Sequence, residues 1–255
     1  MSNVADYPLA VFVLSLLVLW LSTRIGVFLL RRHHILKKEI REDFSVIQAA
    51  TLTLLGLIIG FSFSMAVNRY DQRKNFEEAE ANAIGTEYAR ADLLPAKDAA
   101  KVRALLKDYA EQRIQFYKAR DEAKVPEINE RTARLQNELW SAVTGPAKAN
   151  PNQVTALAVS GMNDVLNSQG YTQAAWWNRI PSAAWILMVA MAICNNILIG
   201  YGAQNSEQEG ILLSILPIVV SVAFLLISDI DSPRRGLIHI NPQNLNAVVE
   251  SLRAP

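Results

Sequence analysis

Four apolar runs constrain this chain more than any other feature: residues 8–30, 46–67, 181–203 and 210–228, each roughly 19–23 residues long. A helix needs about 20 residues to cross about 30 Å of hydrocarbon. A core helix of a soluble protein with that length keeps a polar face, and these runs keep almost none. The fold expected is therefore all-α, with four transmembrane helices. The first run is longer than the apolar core of a secretory signal, and no small-residue cleavage pattern follows it, so it is expected to remain as a span. Its single charge, Arg24, lies near enough to the end to snorkel toward the interface.

Between the second and third runs lie about 110 residues of different character. This gives a division into 1–67 (two spans), 68–180 (a water-exposed helical insertion), 181–230 (two spans) and 231–255 (a C-terminal tail). No helix breaker follows the second run until Pro95, so its helix is expected to continue to Leu94. Gly85 is tolerable there at a cost of about 1 kcal/mol. Pro95 suits the first turn of a new helix, along which Val102, Leu105, Leu106, Tyr109, Phe116 and Tyr117 recur at near-helical spacing. A further helix after Pro126 places Ile128, Leu135 and Leu139 on one face and is expected to stop at Gly145-Pro146. A last one should run from about Pro151 to Ser168, with Gly170 ending it. Trp176 and Trp177, just before the third run, fit an interfacial aromatic belt.

Function classes can be excluded from what the chain lacks. A net charge of +1 argues against nucleic acid as a partner, because phosphate binding needs uncompensated Lys and Arg. One cysteine, Cys194, makes an internal disulfide impossible and a cysteine-based zinc site unexpected. His33, His34 and His239 have no metal-ligand spacing. Phosphate-binding glycine loops and hydrolase or redox motifs are missing as well, so neither enzyme chemistry nor a cofactor is expected. Asp71, Glu77, Glu78 and Glu80 interleave with Arg69, Arg73 and Lys74 in the manner of a solvated helix.

The second run carries the most information. Gly56, Gly60 and Ser64 lie four apart and strip one helix face of bulk, which lets another helix approach closely. Thr53, Leu57 and Phe61, also four apart, form a neighbouring stripe. Several copies around an axis would turn that stripe into stacked rings able to gate ions by dewetting; ordinary helix packing gives the same periodicity. In the third run Asn195-Asn196 places two amides in apolar surroundings, where they should bond across helices. Pro217 should kink the fourth.

Gly60-Phe61 followed by Arg69-Tyr70 and Arg73 resembles the end of the second span of bestrophins, above all the bacterial members. Asp231-Ser232-Pro233 with Gly236 is similar to the acidic-Pro-Gly segment after their last span. The run from Glu80 to Tyr88 and on through Ala91-Asp92-Leu93-Leu94-Pro95 looks like a bacterial bestrophin-like family of unassigned function. The resemblance implies a homo-oligomeric, pentameric ion channel of the bacterial inner membrane, with lipid and inorganic ions as its partners. Each second span would line the pore, and Thr53, Leu57 and Phe61 would form its neck. Arg69, Tyr70, Asp231 and Pro233 would brace the chain where it leaves the membrane. Kinship with the bacterial members implies cations.

Two departures from the family pattern matter. Thr53 is polar where the family has a bulky apolar residue, and Arg234-Arg235 stand where animal bestrophins carry calcium-binding acids. On orientation, kinship places the insertion and both termini in the cytoplasm, whereas the basic run Arg31-Arg32-His33-His34, Lys37, Lys38 and Arg41 argues the reverse. The 204–209 connection, expected on the same face as that run, has two glutamates and no Lys or Arg. The alternative function is a non-conducting sensor or scaffold whose insertion binds a partner or ligand.

Overall fold

The computed structural model describes residues 6–33, 38–203 and 210–253. The side chains of the basic run 31–41 and the 204–209 connection, on which the charge reading of orientation rests, lie outside the described residues. The helices are α1 (Pro8–His33), α2 (Lys38–Arg90), α3 (Ala96–Lys118), α4 (Val125–Ala149), α5 (Gln153–Trp177), α6 (Ser182–Gly202), α7 (Gly210–Asp231) and α8 (Gln243–Ser251), and no strand occurs among the described residues. Four of the helical stretches are long and apolar enough to cross a membrane. The contacts divide the chain into two compact units: Met1–Arg69 with Arg179–Ile238, and Tyr70–Asn178 with His239–Pro255.

The first unit is the apolar one. In it α1 packs against α6 and α7. Gly26 and Gly200 make the closest approach possible: a Cβ on either would penetrate the backbone of the opposite helix, at Ile197 and Thr23 respectively. Lipid is as apolar as leucine, so helices in a bilayer associate through close backbone packing and interhelical hydrogen bonds. The adjacent amides of α6 supply the bonds in two directions. Asn195 donates to the Thr51 carbonyl of α2 at 3.2 Å and accepts from the Thr51 hydroxyl at 3.1 Å, while Asn196 accepts from Thr23 of α1 at 3.2 Å. Pro217 lies inside α7, which continues across it.

The second unit has a core of its own. Val102, Leu106, Tyr109, Phe116 and Tyr117 of α3 are buried with Leu135 and Leu139 of α4, as their spacing requires. From α5 come Ala158, Met162, Val165 and Trp176, and from α8 come Leu245 and Val249. The end of α2 tightens into a 3-10 turn over Ala91–Leu93, with Pro95 then capping α3.

Two expected breaks are absent. α4 continues through Gly145-Pro146 to Ala149, and α5 runs through Gly170 to Trp177. Burial of Ala142 and Val143 holds the first, where Pro146 costs a single bond one turn from the end. Burial of Thr172, Ala175 and Trp176 holds the second. Trp176 is therefore a core residue, its ring 4.9 Å from that of Phe116 and 5.7 Å from that of Tyr117. Trp177 alone of the pair is exposed.

Candidate pore face and post-span clamp

α2 turns one side of its apolar segment toward the other helices of its own chain. Leu55, Ser62 and Ala66 are buried there, and Thr51 bonds to Asn195. At about 100° per residue, Thr53, Leu57, Gly60 and Ser64 fall on the opposite side, with Gly56 and Phe61 at its edges. Leu57 is 52% exposed and Phe61 66% exposed. Thr53 and Ser64 are exposed too, and a Cβ on Gly56 or Gly60 would meet nothing within 4 Å. The small-residue stripe is thus unused within the chain. The intimate glycine contact lies instead between α1 and α6, a pairing invisible in sequence because Gly26 and Gly200 are so far apart along the chain.

A polar clamp follows the spans. α7 ends at Asp231, an acid placed where the helix dipole disfavours one. The carboxylate is buried and compensated: Arg179 donates to it at 2.9 Å, the Ile180 amide at 3.2 Å, and the Arg69 guanidinium lies 4.0 Å away. Arg179 also pairs with Asp6 at 2.7 Å. Asp229, two residues earlier, accepts the amides of Leu237 and Ile238 at 2.6 and 2.9 Å, which folds the Pro233 turn back onto the helix. Pro233 is half-buried in that turn, and a Cβ on Gly236 would sit 2.5 Å from the Asp229 carbonyl. These carboxylates do not fit a calcium site, since amides and guanidinium groups occupy them. The described residues contain no group of three His, Cys, Asp or Glu side chains able to hold a metal. Tyr70, next to Arg69 in sequence, packs on the hydrophobic core of the second unit.

The distal part of α2 corrects the reading of its acids as solvated for Glu77 and Glu80, while Asp71, Lys74 and Glu78 are exposed as expected. Arg73, Glu77, Glu80 and Glu87 are all buried, on one face with Ile84 and Ala91. Arg73 donates to the carbonyls of Ala175 and Asn178 at the C-terminal end of α5, both at 3.2 Å. Glu77 accepts from the Leu245 amide and the Asn244 side chain at the start of α8, at 2.9 and 2.7 Å. Cation at helix C-terminus and anion at N-terminus are the favourable pairings. Glu80 forms a buried ion pair with Arg113 and accepts from Tyr117 at 3.1 Å and Thr172 at 3.2 Å. Burial and the Glu80 charge both push the Tyr117 hydroxyl above its ordinary value. For Arg113 burial is the largest influence and works downward, but the Glu80 carboxylate with Tyr109 and Tyr117 together outweigh it, and the guanidinium is held above its usual range. The spacing 73, 77, 80, 84, 87, 91 was itself the available signal: charges falling on a heptad seam are buried charges.

Apolar helices crossing twice before and twice after a helical module define an all-α, four-span membrane protein. Its sequence matches the model of the Bestrophin-like domain over residues 9–245, and the chain belongs to that family. No curated protein matches it. Among solved structures it is similar to a variant of a bacterial bestrophin homologue from Klebsiella pneumoniae, with a TM-score of 0.66 at 15% identity over 96% of this chain and 94% of the other. A second structure of a bacterial bestrophin homologue from that organism gives a TM-score of 0.62, also at 15% identity, over 94% and 95% of the two chains. At such identity the likeness is one of fold.

Proposed function

We propose that this protein is an ion channel of the bacterial inner membrane, built from several copies of the chain around an axis lined by α2. The observation that carries this reading is the uncovered side of α2. A helix facing only lipid would be served by bulky apolar residues along its whole outer side, but this one presents Thr53, Gly56, Gly60 and Ser64 there. Small residues suit a neighbouring helix, and a column of Thr53, Leu57 and Phe61 suits a narrow pore whose apolar rings hold back water. Family membership supports the same reading. Thr53 is the polar end of that column, so the seal falls to Leu57 and Phe61. Arg69 and Asp231 hold the chain at the end of the spans, with Tyr70 and Pro233 beside them. The fold kinship favours a homo-pentamer, cations as the permeant ions and the helical module in the cytoplasm.

Single-channel recording of the purified protein in planar bilayers under asymmetric salt tests the proposal. Discrete openings are expected, with a reversal potential on the cation side. Silence at all voltages from protein shown to be folded and oligomeric would reject conduction. The exposed side of α2 would then be the seam of a non-conducting sensor or scaffold.

A further inference from the structure

Within the second unit, the charged seam of α2 contains one residue unlike the others. Arg73, Glu77 and Glu80 are each met by a helix end or an opposite charge. Glu87 is 0% exposed, and both of its carboxylate oxygens lack a hydrogen-bond partner among the described residues. An ionised carboxylate in such a place is strongly disfavoured. Its seat is a notch in α5. A Cβ on Gly161 would overlap the Glu87 carboxyl and would also run into the Arg90 guanidinium, so any other residue there would make both side chains shift.

The charges around this notch come from α2, the turn that follows it, α3 and α5. Arg90, one turn further along α2, lies 3.9 Å from Asp164 of α5. In the turn after α2, Asp92 is paired with Arg103 of α3 at 2.5 Å. We propose that Glu87 is a proton-operated latch: neutral, its carboxyl fits the buried Gly161 notch and lets α2 lie against α5; ionised, it draws Arg90 away from Asp164 and loosens that contact. The step is a simple ionisation, the proton passing to water and the negative charge remaining on the carboxylate. Burial places the transition in a useful range, since it raises the carboxyl from an ordinary 4.5 to about 8, against the lowering effect of Arg90 and with a further rise from Asp164. A folded value above the unfolded one means that the folded state keeps its proton between the two. The stabilisation is complete below about 4.5 and is lost as the pH rises through about 8.

This inference does not rest on conduction, and its test reads only the carboxyl and the stability of the fold. The full chain, labelled with 13C at glutamate carboxyls and held in nanodiscs, is titrated by NMR. One resonance should change near pH 8 and should be missing in Glu87→Gln. Gly161→Ala should shift that transition toward the ordinary glutamate range. In parallel, the unfolding equilibrium constant of the wild type relative to Glu87→Gln should rise by up to about tenfold per pH unit between the two values. If every glutamate carboxyl titrates in the ordinary range, or if the wild type and Glu87→Gln respond identically to pH, the latch is refuted. Should Glu87→Gln fail to fold, the wild-type titration and its response to Gly161→Ala still decide the matter.

Discussion

Removing one member of the Glu80–Arg113 pair tests whether the second unit depends on compensated charge in its core. Both side chains are fully buried. Glu80 takes its remaining bonds from Tyr117 and Thr172, and Arg113 lies 4.4 Å from the centre of the Phe116 ring. Arg113→Met keeps an apolar stem of similar length but leaves a carboxylate held by two hydroxyls. Glu80→Gln leaves an uncompensated guanidinium among aromatic rings. Breaking a buried pair from one side costs about 3–5 kcal/mol. For a chain of this size that corresponds to a fall of about 6–20 °C in Tm, at about 2–4 °C per kcal/mol. Replacing both partners, in Glu80→Gln with Arg113→Met, removes both charges and should cost much less than the sum, with a coupling energy of about 2–3 kcal/mol. The assay is thermal unfolding of detergent-solubilised protein followed by circular dichroism, with hydrogen exchange of α3 amides to show that the second unit is the part that loosens. Single variants costing only the ~0–1 kcal/mol of an exposed pair, or a strictly additive double variant, would refute the reasoning.

Other outcomes follow from the same contacts. Leu57→Ala with Phe61→Ala should widen the neck and raise single-channel conductance severalfold; unchanged conductance in a protein that does conduct would remove both residues from the constriction. Asp231→Asn leaves Arg179 and the Ile180 amide facing a weaker acceptor and should cost about 1–3 kcal/mol, read as a lower Tm, whereas Asp71→Asn on the exposed side of α2 should shift Tm very little. Gly200→Leu cannot be seated against the Thr23 backbone and should separate α1 from α6, read as a loss of folded protein after detergent extraction; Gly56→Leu, with open space around it, should leave the folded monomer intact and alter its association.

Much of this molecule is a local property of its sequence. Whether 20 consecutive residues prefer hydrocarbon to water depends on those residues alone, so the four spans were legible, as were the core faces of α3 and α4 with Val102, Leu106, Leu135 and Leu139. The interhelical role of Asn195 and Asn196 followed too, because an amide in apolar surroundings has few other ways to be satisfied. The partners of each helix depend on residues far away in the chain. α5 survives Gly170 because α3 offers Phe116 and Tyr117 to bury Trp176, and α4 crosses Pro146 because Ala142 and Val143 are already packed. Charges on α2 read as solvated until α8 supplies amides to Glu77 and α3 supplies a guanidinium to Glu80. The same holds for glycine. Gly56 and Gly60 advertise a close approach that their own chain does not use, while Gly26 and Gly200 make one that no spacing announces. Composition determined that the chain enters a membrane as helices; only the tertiary structure decided which faces meet and which stay open, because a contact belongs to two segments and a sequence window holds one.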